Sequence, residues 1–177
     1  MSIDQNRLRI QRLKQDSQID SFKCVNEDLN EFLRDEAKAY QAEMLSLTYL
    51  VYYEQDLVAY FSLLYDSINL REFDKRTRNR INRRIPFVKQ RTHYPAVKLG
   101  RLAVDHRYAH QGIGELILRF IVSLFTVNNK AACRFIIVDA IANATGFYHE
   151  RGRFNFFTEQ DKDEDTRLMY FDLLDAQ

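Results

Sequence analysis

The stretch Leu102-Ala103-Val104-Asp105-His106-Arg107-Tyr108-Ala109-His110-Gln111-Gly112-Ile113-Gly114 decides the fold of this chain. Three apolar residues end a predicted strand, a short polar loop follows, and two glycines open a segment of periodic apolar residues. The first amides of a helix have no partner within it and lie at the positive end of its dipole. Because glycine lets an oxygen approach those amides closely, the stretch predicts a phosphate or pyrophosphate site.

Two other phosphate-binding loops are built in a similar way, and the spacing excludes both. A dinucleotide-binding fingerprint needs a third glycine at the position of Ile117. A P-loop needs Gly-Lys-Ser or Gly-Lys-Thr, and neither tripeptide occurs in the sequence. The ligand is therefore expected to contain a diphosphate that is held in another way.

The sequence on either side of this stretch predicts alternating strands and helices. Apolar residues recur at intervals of three and four after Gly112, which predicts a long helix. Asn26 is expected to cap an earlier helix. The predicted strands are residues 7–14, 45–53, 57–65, 94–104, 133–140, 154–157 and 167–174, and a short helix is expected at 144–151. This order predicts an α/β protein with a mixed sheet.

Composition predicts a single domain over residues 1–177. An apolar fraction of 46% is sufficient for a core without metal or disulfide support. Cys24 and Cys133 are too few for a zinc site or a disulfide framework, so no metal site is expected. The N-terminus has no apolar run typical of a secretory signal, and no stretch approaches the ~20 apolar residues of a membrane span. A cytoplasmic protein without membrane contact is therefore expected.

Positive charge is concentrated in one segment, a basic insertion at about 67–93. Residues 71–91 hold nine of the 26 Lys and Arg residues but two of the 25 Asp and Glu residues, although the whole chain has a net charge of +1. Arg76, Arg80, Arg83 and Arg84 recur at near-helical spacing, which predicts a short cationic helix. Such a helix either contacts the phosphates of a nucleic acid or forms a solvated surface, and both interpretations remain open.

Three segments resemble the GNAT superfamily of N-acetyltransferases. The segment Ala109-His110-Gln111-Gly112-Ile113-Gly114 resembles its acetyl-CoA signature, Gln/Arg-x-x-Gly-x-Gly/Ala after a strand, with Ala109 in place of the usual Gln or Arg. Leu99-Gly100-Arg101-Leu102-Ala103-Val104-Asp105 is similar to the fourth strand of the family. Phe147-Tyr148-His149-Glu150-Arg151-Gly152 is similar to the Phe-Tyr-x-x-x-Gly of the short helix after the fifth strand. The resemblance implies an α/β (α+β) GNAT fold, in which a mixed, mostly antiparallel sheet of about seven strands has helices on both faces.

The same resemblance implies roles for individual residues. The cofactor is acetyl-CoA, with CoA as the product, and Tyr148 is the candidate general acid. The acetyl-CoA contacts are expected to be Leu102, Ala103, Val104, Ala109, His110, Gln111, Gly112, Ile113, Gly114 and Asn143. The candidate contacts for the acceptor are Arg101, which is as readily structural, and Arg80, Arg83 and Arg84.

The expected reaction is direct transfer of acetyl to a primary amine, preferentially an α-amine. Residues 96–104 contain no Glu or Asp that could act as a base. An α-amine is neutral about 14% of the time at pH 7, whereas a lysine side chain is neutral about 0.04% of the time. An α-amine therefore needs less help from a base.

The identity of the acceptor remains open at this point. Residues 22–65 resemble the GNAT subgroup that includes type II toxins, whose acceptor is aminoacyl-tRNA, and this implies tRNA, an antitoxin and a second copy of the chain as partners. A small-molecule amine or a protein N-terminus is the second hypothesis. A catalytically silent module that binds acyl-CoA or nucleic acid is the third.

Overall fold

Seven strands form one hydrogen-bonded sheet in the computed structural model, which describes residues 3–86, 92–127 and 131–176. The order across the sheet is β1-β2-β3-β4-β5-β7-β6. The strands are β1 Leu8–Arg12, β2 Leu47–Tyr53, β3 Asp56–Asn69, β4 His93–Val104, β5 Phe135–Ile141, β6 Asn155–Phe156 and β7 Thr166–Asp172.

Most of the strand pairs run antiparallel. β1 with β2, β2 with β3, β5 with β7 and β6 with β7 are antiparallel, and β4 runs parallel to β5 over Ala96–Lys98 and Phe135–Ile137. The predicted mixed, mostly antiparallel sheet of seven strands is therefore confirmed.

In the described ranges, four α-helical segments and two π-helical turns accompany the strands. Asn26 caps the first helix as predicted, because its side chain accepts a hydrogen bond from the amide of Asp28 at 3.0 Å. The segments are α1 Glu27–Glu31, a π-helical turn Phe32–Glu36, α2 Ala37–Ala42, α3 Lys75–Asn82, α4 Ile113–Thr126 and a π-helical turn Phe147–Arg151. Short 3₁₀ turns lie at Gln5–Arg7, Leu70–Glu72, His106–Tyr108, Ala142–Ala144 and Leu173–Ala176.

The chain divides into two compact units, and the first comprises Met1–Leu64 with Leu99–Ile121. In this unit the apolar face of α1 and α2 packs with residues of β2, β3 and β4. Its core cluster includes Leu13, Phe22, Phe32, Leu33, Leu50, Leu57, Tyr60 and Ala103. α4 buries one apolar face, as the spacing of its apolar residues predicts. The buried residues are Ile113, Ile117, Leu118 and Ile121.

The second unit comprises Tyr65–Lys98 with Val122–Gln177. Its core is strongly aromatic, and Ile81 of α3 joins it. The cluster includes Ile68, Leu70, Tyr94, Ala96, Phe135, Ile137, Phe157 and Tyr170. A single domain over residues 1–177 stays a prediction.

No helix in the described ranges is long and apolar enough to cross a bilayer. Among the same residues, no group of His, Cys, Asp and Glu side chains is arranged to hold a metal ion.

Candidate functional site

The predicted phosphate turn connects β4 to α4 in the first unit. β4 ends at Val104, a 3₁₀ turn covers His106–Tyr108, and α4 begins at Ile113. Two residues of the turn have left-handed backbone conformations, His110 with φ of 62° and Gly112 with φ of 80°. Glycine adopts this region freely, which explains the need for glycine at position 112.

The amides at the start of α4 are free to bind a ligand. Leu116 is the first residue of α4 whose amide has a hydrogen-bond acceptor. It donates to the carbonyl of Gly112 at 3.1 Å. Within the described part of the chain, the amides of residues 112–115 have no acceptor. They lie at the positive end of a 14-residue helix. Gly112 is exposed and Gly114 is half-buried, so a ligand can reach these amides. Free amides at a helix N-terminus are the donors that a diphosphate requires.

Asp105 fixes the loop that leads into the turn. Its fully buried carboxylate accepts hydrogen bonds from the amide of Lys23 at 3.0 Å and from the amide of Arg107 at 2.9 Å. The guanidinium of Arg107 donates to both carboxylate oxygens, at 2.9 and 3.1 Å. Beside this cluster, the hydroxyl of Tyr108 donates to Asp56 at 2.6 Å. The loop is therefore held in place before any ligand binds.

These contacts make Asp105 a structural group. Burial alone would raise the pKa of its carboxyl, but the hydrogen bonds from Arg107 and from the amide of Lys23 outweigh burial and leave the pKa below its usual range. A carboxylate with a lowered pKa and four donors is a poor base. The sequence shows Asp105 directly after the strand and does not reveal these contacts. Its bond to the amide two residues later is an Asx turn that the sequence could have suggested, whereas its bond to Lys23 spans 82 residues.

Replacing Asp105 with alanine is expected to lower the free energy of unfolding by about 3 kcal/mol at pH 7, because two partly buried amides and the guanidinium of Arg107 lose a charged acceptor. Urea denaturation measures this change, and Asp139→Ala is the control because Asp139 forms only a half-exposed pair with Lys98. The folded-state pKa of Asp105 is lowered, so its contribution is complete above about pH 4 and disappears as the pH falls through the folded value. A gap between wild type and Asp105→Asn that does not narrow as the pH falls below about 4 would contradict this role.

The end of β4 presents the other predicted contacts of the first unit. Ala103 is buried in the core, whereas Leu102 and Val104 are half-buried on either side of it. Arg101 is exposed, and its guanidinium lies 4.8 Å from the centre of the Phe32 ring. Ala109 and Gln111 are half-buried and His110 is exposed, so all predicted residues from 101 to 114 belong to one strand, loop and helix start.

Tyr148 lies in the second unit, in the π-helical turn Phe147–Arg151. Its side chain is buried between the rings of Phe147 and Phe154, with ring centres 5.1 and 5.6 Å away. Burial raises the pKa of Tyr148, so its hydroxyl is protonated at neutral pH. No hydrogen-bond partner of the hydroxyl is found among the described residues, and the residue as a whole is 7% exposed. The hydroxyl is a neutral donor available to a ligand.

Asn143 lies in the 3₁₀ turn Ala142–Ala144 that follows β5. Its side chain is exposed, and no partner for it is found in the described ranges. It is chemically able to donate to a ligand.

The predicted cationic helix corresponds to α3, which contains Arg76 and Arg80 but ends at Asn82, so Arg83 and Arg84 follow it. The structure separates the arginines of this segment into two groups. Arg80 donates to the carbonyls of Phe156 and Phe157 at 2.9 and 2.7 Å. Arg84 pairs with Asp172 at 3.1 Å and with Asp175. Both therefore hold α3 against the rest of the second unit. Arg83 and its neighbours Arg76 and Arg78 are exposed without a partner among the described residues, and Phe87, Lys89 and Arg91 of the basic segment lie outside them.

Comparison with known proteins gives matches in structure. No protein-family model and no curated protein matches the sequence. A tyrosine-to-phenylalanine mutant of KacT is similar with a TM-score of 0.76 and 21% identity, over 96% of both chains. AtaT complexed with acetyl-methionyl-tRNAfMet is similar with a TM-score of 0.73 and 19% identity, over 96% of both chains. An AtaT mutant toxin bound to the C-terminus of the antitoxin AtaR covers 95% of this chain and 93% of its own, with a TM-score of 0.70 and 18% identity. The chain therefore has the GNAT fold of these toxins.

Proposed function

We propose that this protein is an acetyl-CoA-dependent N-acetyltransferase that transfers acetyl directly to a primary amine. The free amides of residues 112–115, at the positive end of α4, carry this proposal. The GNAT fold supports it, and so does a structural neighbour, AtaTR, that is described as bound with AcCoA.

The residues present fit acetyl-CoA. The amides at the start of α4 would hold the diphosphate, with Ala109, His110 and Gln111 shaping the turn. Backbone groups of Leu102 to Val104 and the side chain of Asn143 would bind the rest of the molecule. Bound acetyl-CoA supplies an acetyl group activated as a thioester. The chain's own contribution is to orient that thioester and to move protons.

Tyr148 is assigned the role of general acid. Its protonated hydroxyl donates a proton to the sulfur that leaves when the amine attacks, and the proton that the amine loses on becoming an amide balances the one that Tyr148 gives up. The neutral amine is the nucleophile, so no covalent intermediate with the protein is required. Cys24 is buried, and burial raises the pKa of its thiol, which disfavours the thiolate of a nucleophilic cysteine.

The acceptor is proposed to be an α-amine, either on an aminoacyl-tRNA or on a small molecule. Since Asp105 is occupied by four donors, β4 and its loop supply no free carboxylate base, and an acceptor with a pKa near 7.8 needs about 3.5 kcal/mol less help than lysine. The exposed cations Arg76 and Arg78 of α3, and Arg83 directly after it, suit an RNA backbone. The AtaT complexes with acetylated tRNA and with AtaR support tRNA and an antitoxin as partners, and a homodimer stays a prediction.

The test is a titration with acetyl-CoA followed by a turnover assay. Acetyl-CoA at about 100 times its Kd is expected to raise Tm by about 5–10 °C. Acetyl-pantetheine, which lacks the diphosphate, is expected to give no shift at the same concentration. Thiol release should then depend on an added amine, with methionyl-tRNA or methioninamide favoured over a blocked lysine. Binding without any turnover would reduce the protein to a silent acyl-CoA-binding module, and absence of binding would remove the proposal.

A further inference from the structure

Arg101 is the one arginine of the β4 stretch Leu99–Val104, and it lies directly before Leu102. Its side chain is exposed, whereas the residues that flank it in the strand are half-buried. The residues after it are those proposed to bind the thioester. A cation at this position therefore lies beside the part of the strand where transfer is proposed to occur.

The guanidinium of Arg101 is held in a defined place. It lies 4.8 Å above the ring of Phe32, which is 3% exposed and stacks on Tyr60 with ring centres 6.3 Å apart. Its Nη1 also donates to the carbonyl of Gly100 at 2.8 Å. A cation–π contact and a backbone hydrogen bond together restrict a side chain that is otherwise among the most flexible. The charge is therefore preorganised before a ligand arrives.

Most of the hydrogen-bonding capacity of Arg101 is unused. A guanidinium has five N–H donors, and the bond to Gly100 uses a single one. In the described part of the chain no carboxylate lies within 4.0 Å of Arg101, whereas Arg107 and Arg134 each have one. The positive charge of Arg101 also acts on the buried Tyr60. Burial raises the pKa of Tyr60, and the charge of Arg101 opposes that rise. An oriented guanidinium with free donors and no counter-ion is suited to bind an oxyanion in bidentate geometry.

We infer that Arg101 binds an oxyanion of the acceptor, so that the preferred acceptor is an amine that carries a carboxylate or a phosphate. The inference rests on the proposed function. In that function the start of α4 binds the diphosphate of acetyl-CoA, so the guanidinium of Arg101 is available to bind the acceptor. Arg101 acts in binding and specificity, and it exchanges no proton. Its removal therefore raises KM for anionic acceptors and leaves kcat on neutral acceptors unchanged.

The experiment compares methionine, methionyl-tRNA and methioninamide as acceptors of the full chain. In Arg101→Ala, KM for the anionic acceptors is expected to rise at least tenfold, while both constants for methioninamide and the KM for acetyl-CoA stay within twofold of wild type. Arg101→Lys keeps the charge without the planar fork and should recover part of the loss. A loss confined to methionine identifies a carboxylate, and a loss confined to methionyl-tRNA identifies a phosphate.

Arg9→Ala is the matched control, because Arg9 is also an exposed arginine stacked on an aromatic ring, that of Tyr52 at 5.5 Å. Equal losses on methioninamide and on the anionic acceptors would overturn the inference, as would an equal effect of Arg9→Ala or no effect of Arg101→Ala. In each of these cases wild-type turnover would leave the proposed function intact. A wild-type protein that binds acetyl-CoA but acetylates none of the three acceptors would overturn the inference alone, whereas absence of acetyl-CoA binding would overturn both.

Discussion

Replacing Gly112 with valine is expected to weaken acetyl-CoA binding about 100-fold. Gly112 has a φ of 80°, a conformation that a β-branched residue adopts only under strain. The side chain of a valine at this position would also lie beside the free amides of α4. The loss of two charge-assisted hydrogen bonds, at about 1.5 kcal/mol or more each, amounts to about 3 kcal/mol. At about 1.4 kcal/mol for each factor of ten, this corresponds to the expected loss. Isothermal titration calorimetry measures it.

Gly146→Ala provides the control for replacing a glycine. Gly146 has a φ of −58°, and a Cβ built there meets nothing within 4 Å, so this variant should keep wild-type affinity and stability. A Tm and circular dichroism spectrum close to wild type would show that Gly112→Val remains folded. If Gly112→Val then bound acetyl-CoA as tightly as wild type, the diphosphate would have to be held elsewhere.

The strand, loop and helix around Gly112 could be predicted from the sequence because local signals agree there. The apolar spacing after Gly112 identified α4, and the two glycines marked the turn. His110 also adopts a positive φ, which the sequence did not reveal, because histidine is enriched in this region but still adopts it in only a minority of cases. The free amides follow from helix geometry alone, so the candidate anion site was predictable.

Element lengths were less predictable where polar residues lie inside regular structure. β3 continues to Asn69 through the exposed residues Tyr65 to Ser67, whereas the sequence predicted an end at residue 65, where the apolar and aromatic run stops. The helix capped by Asn26 contains a π-helical turn at Phe32–Glu36, which leaves Phe32 and Leu33 buried and changes the period of the later residues. Hydrogen bonding to neighbouring strands and tertiary packing determine both features. The spacing of apolar residues in one sequence contains no information about either.

The roles of charged side chains were the least predictable. Asp105, Arg84 and Arg80 all obtain partners from distant parts of the chain. Asp172, which the sequence did not single out, is buried and pairs with Arg84 and Arg134. A charge run in a sequence gives the composition of a surface without showing which cations are already neutralised. This explains why the predicted arginine contacts separate into structural residues and exposed ones.

The Tyr148→Phe variant is expected to reduce kcat at least tenfold while changing acetyl-CoA affinity little, since general acid catalysis contributes about 100-fold or more in rate. The variant removes a single oxygen from a ring that keeps its contacts with Phe147 and Phe154. Tyr170→Phe is the matched control, because Tyr170 is a tyrosine of the same unit with 8% exposure against 7% for Tyr148. Stopped assays of thiol release with saturating acetyl-CoA measure the difference.

The pH dependence of the same variant separates an acid from a residue that only packs. Because burial raises the pKa of Tyr148, the hydroxyl form is complete below the ordinary tyrosine value of about 10 and is lost only as the pH rises through the raised value. Deprotonation of Tyr148 therefore causes no fall in the wild-type rate up to about pH 10, and the defect of Tyr148→Phe should remain constant from about pH 6 to 9. A packing role would instead lower Tm and acetyl-CoA affinity together with the rate. Equal rates for Tyr148→Phe and wild type would remove Tyr148 from the mechanism and move the proton to a water molecule, because a buried phenylalanine has no proton to give.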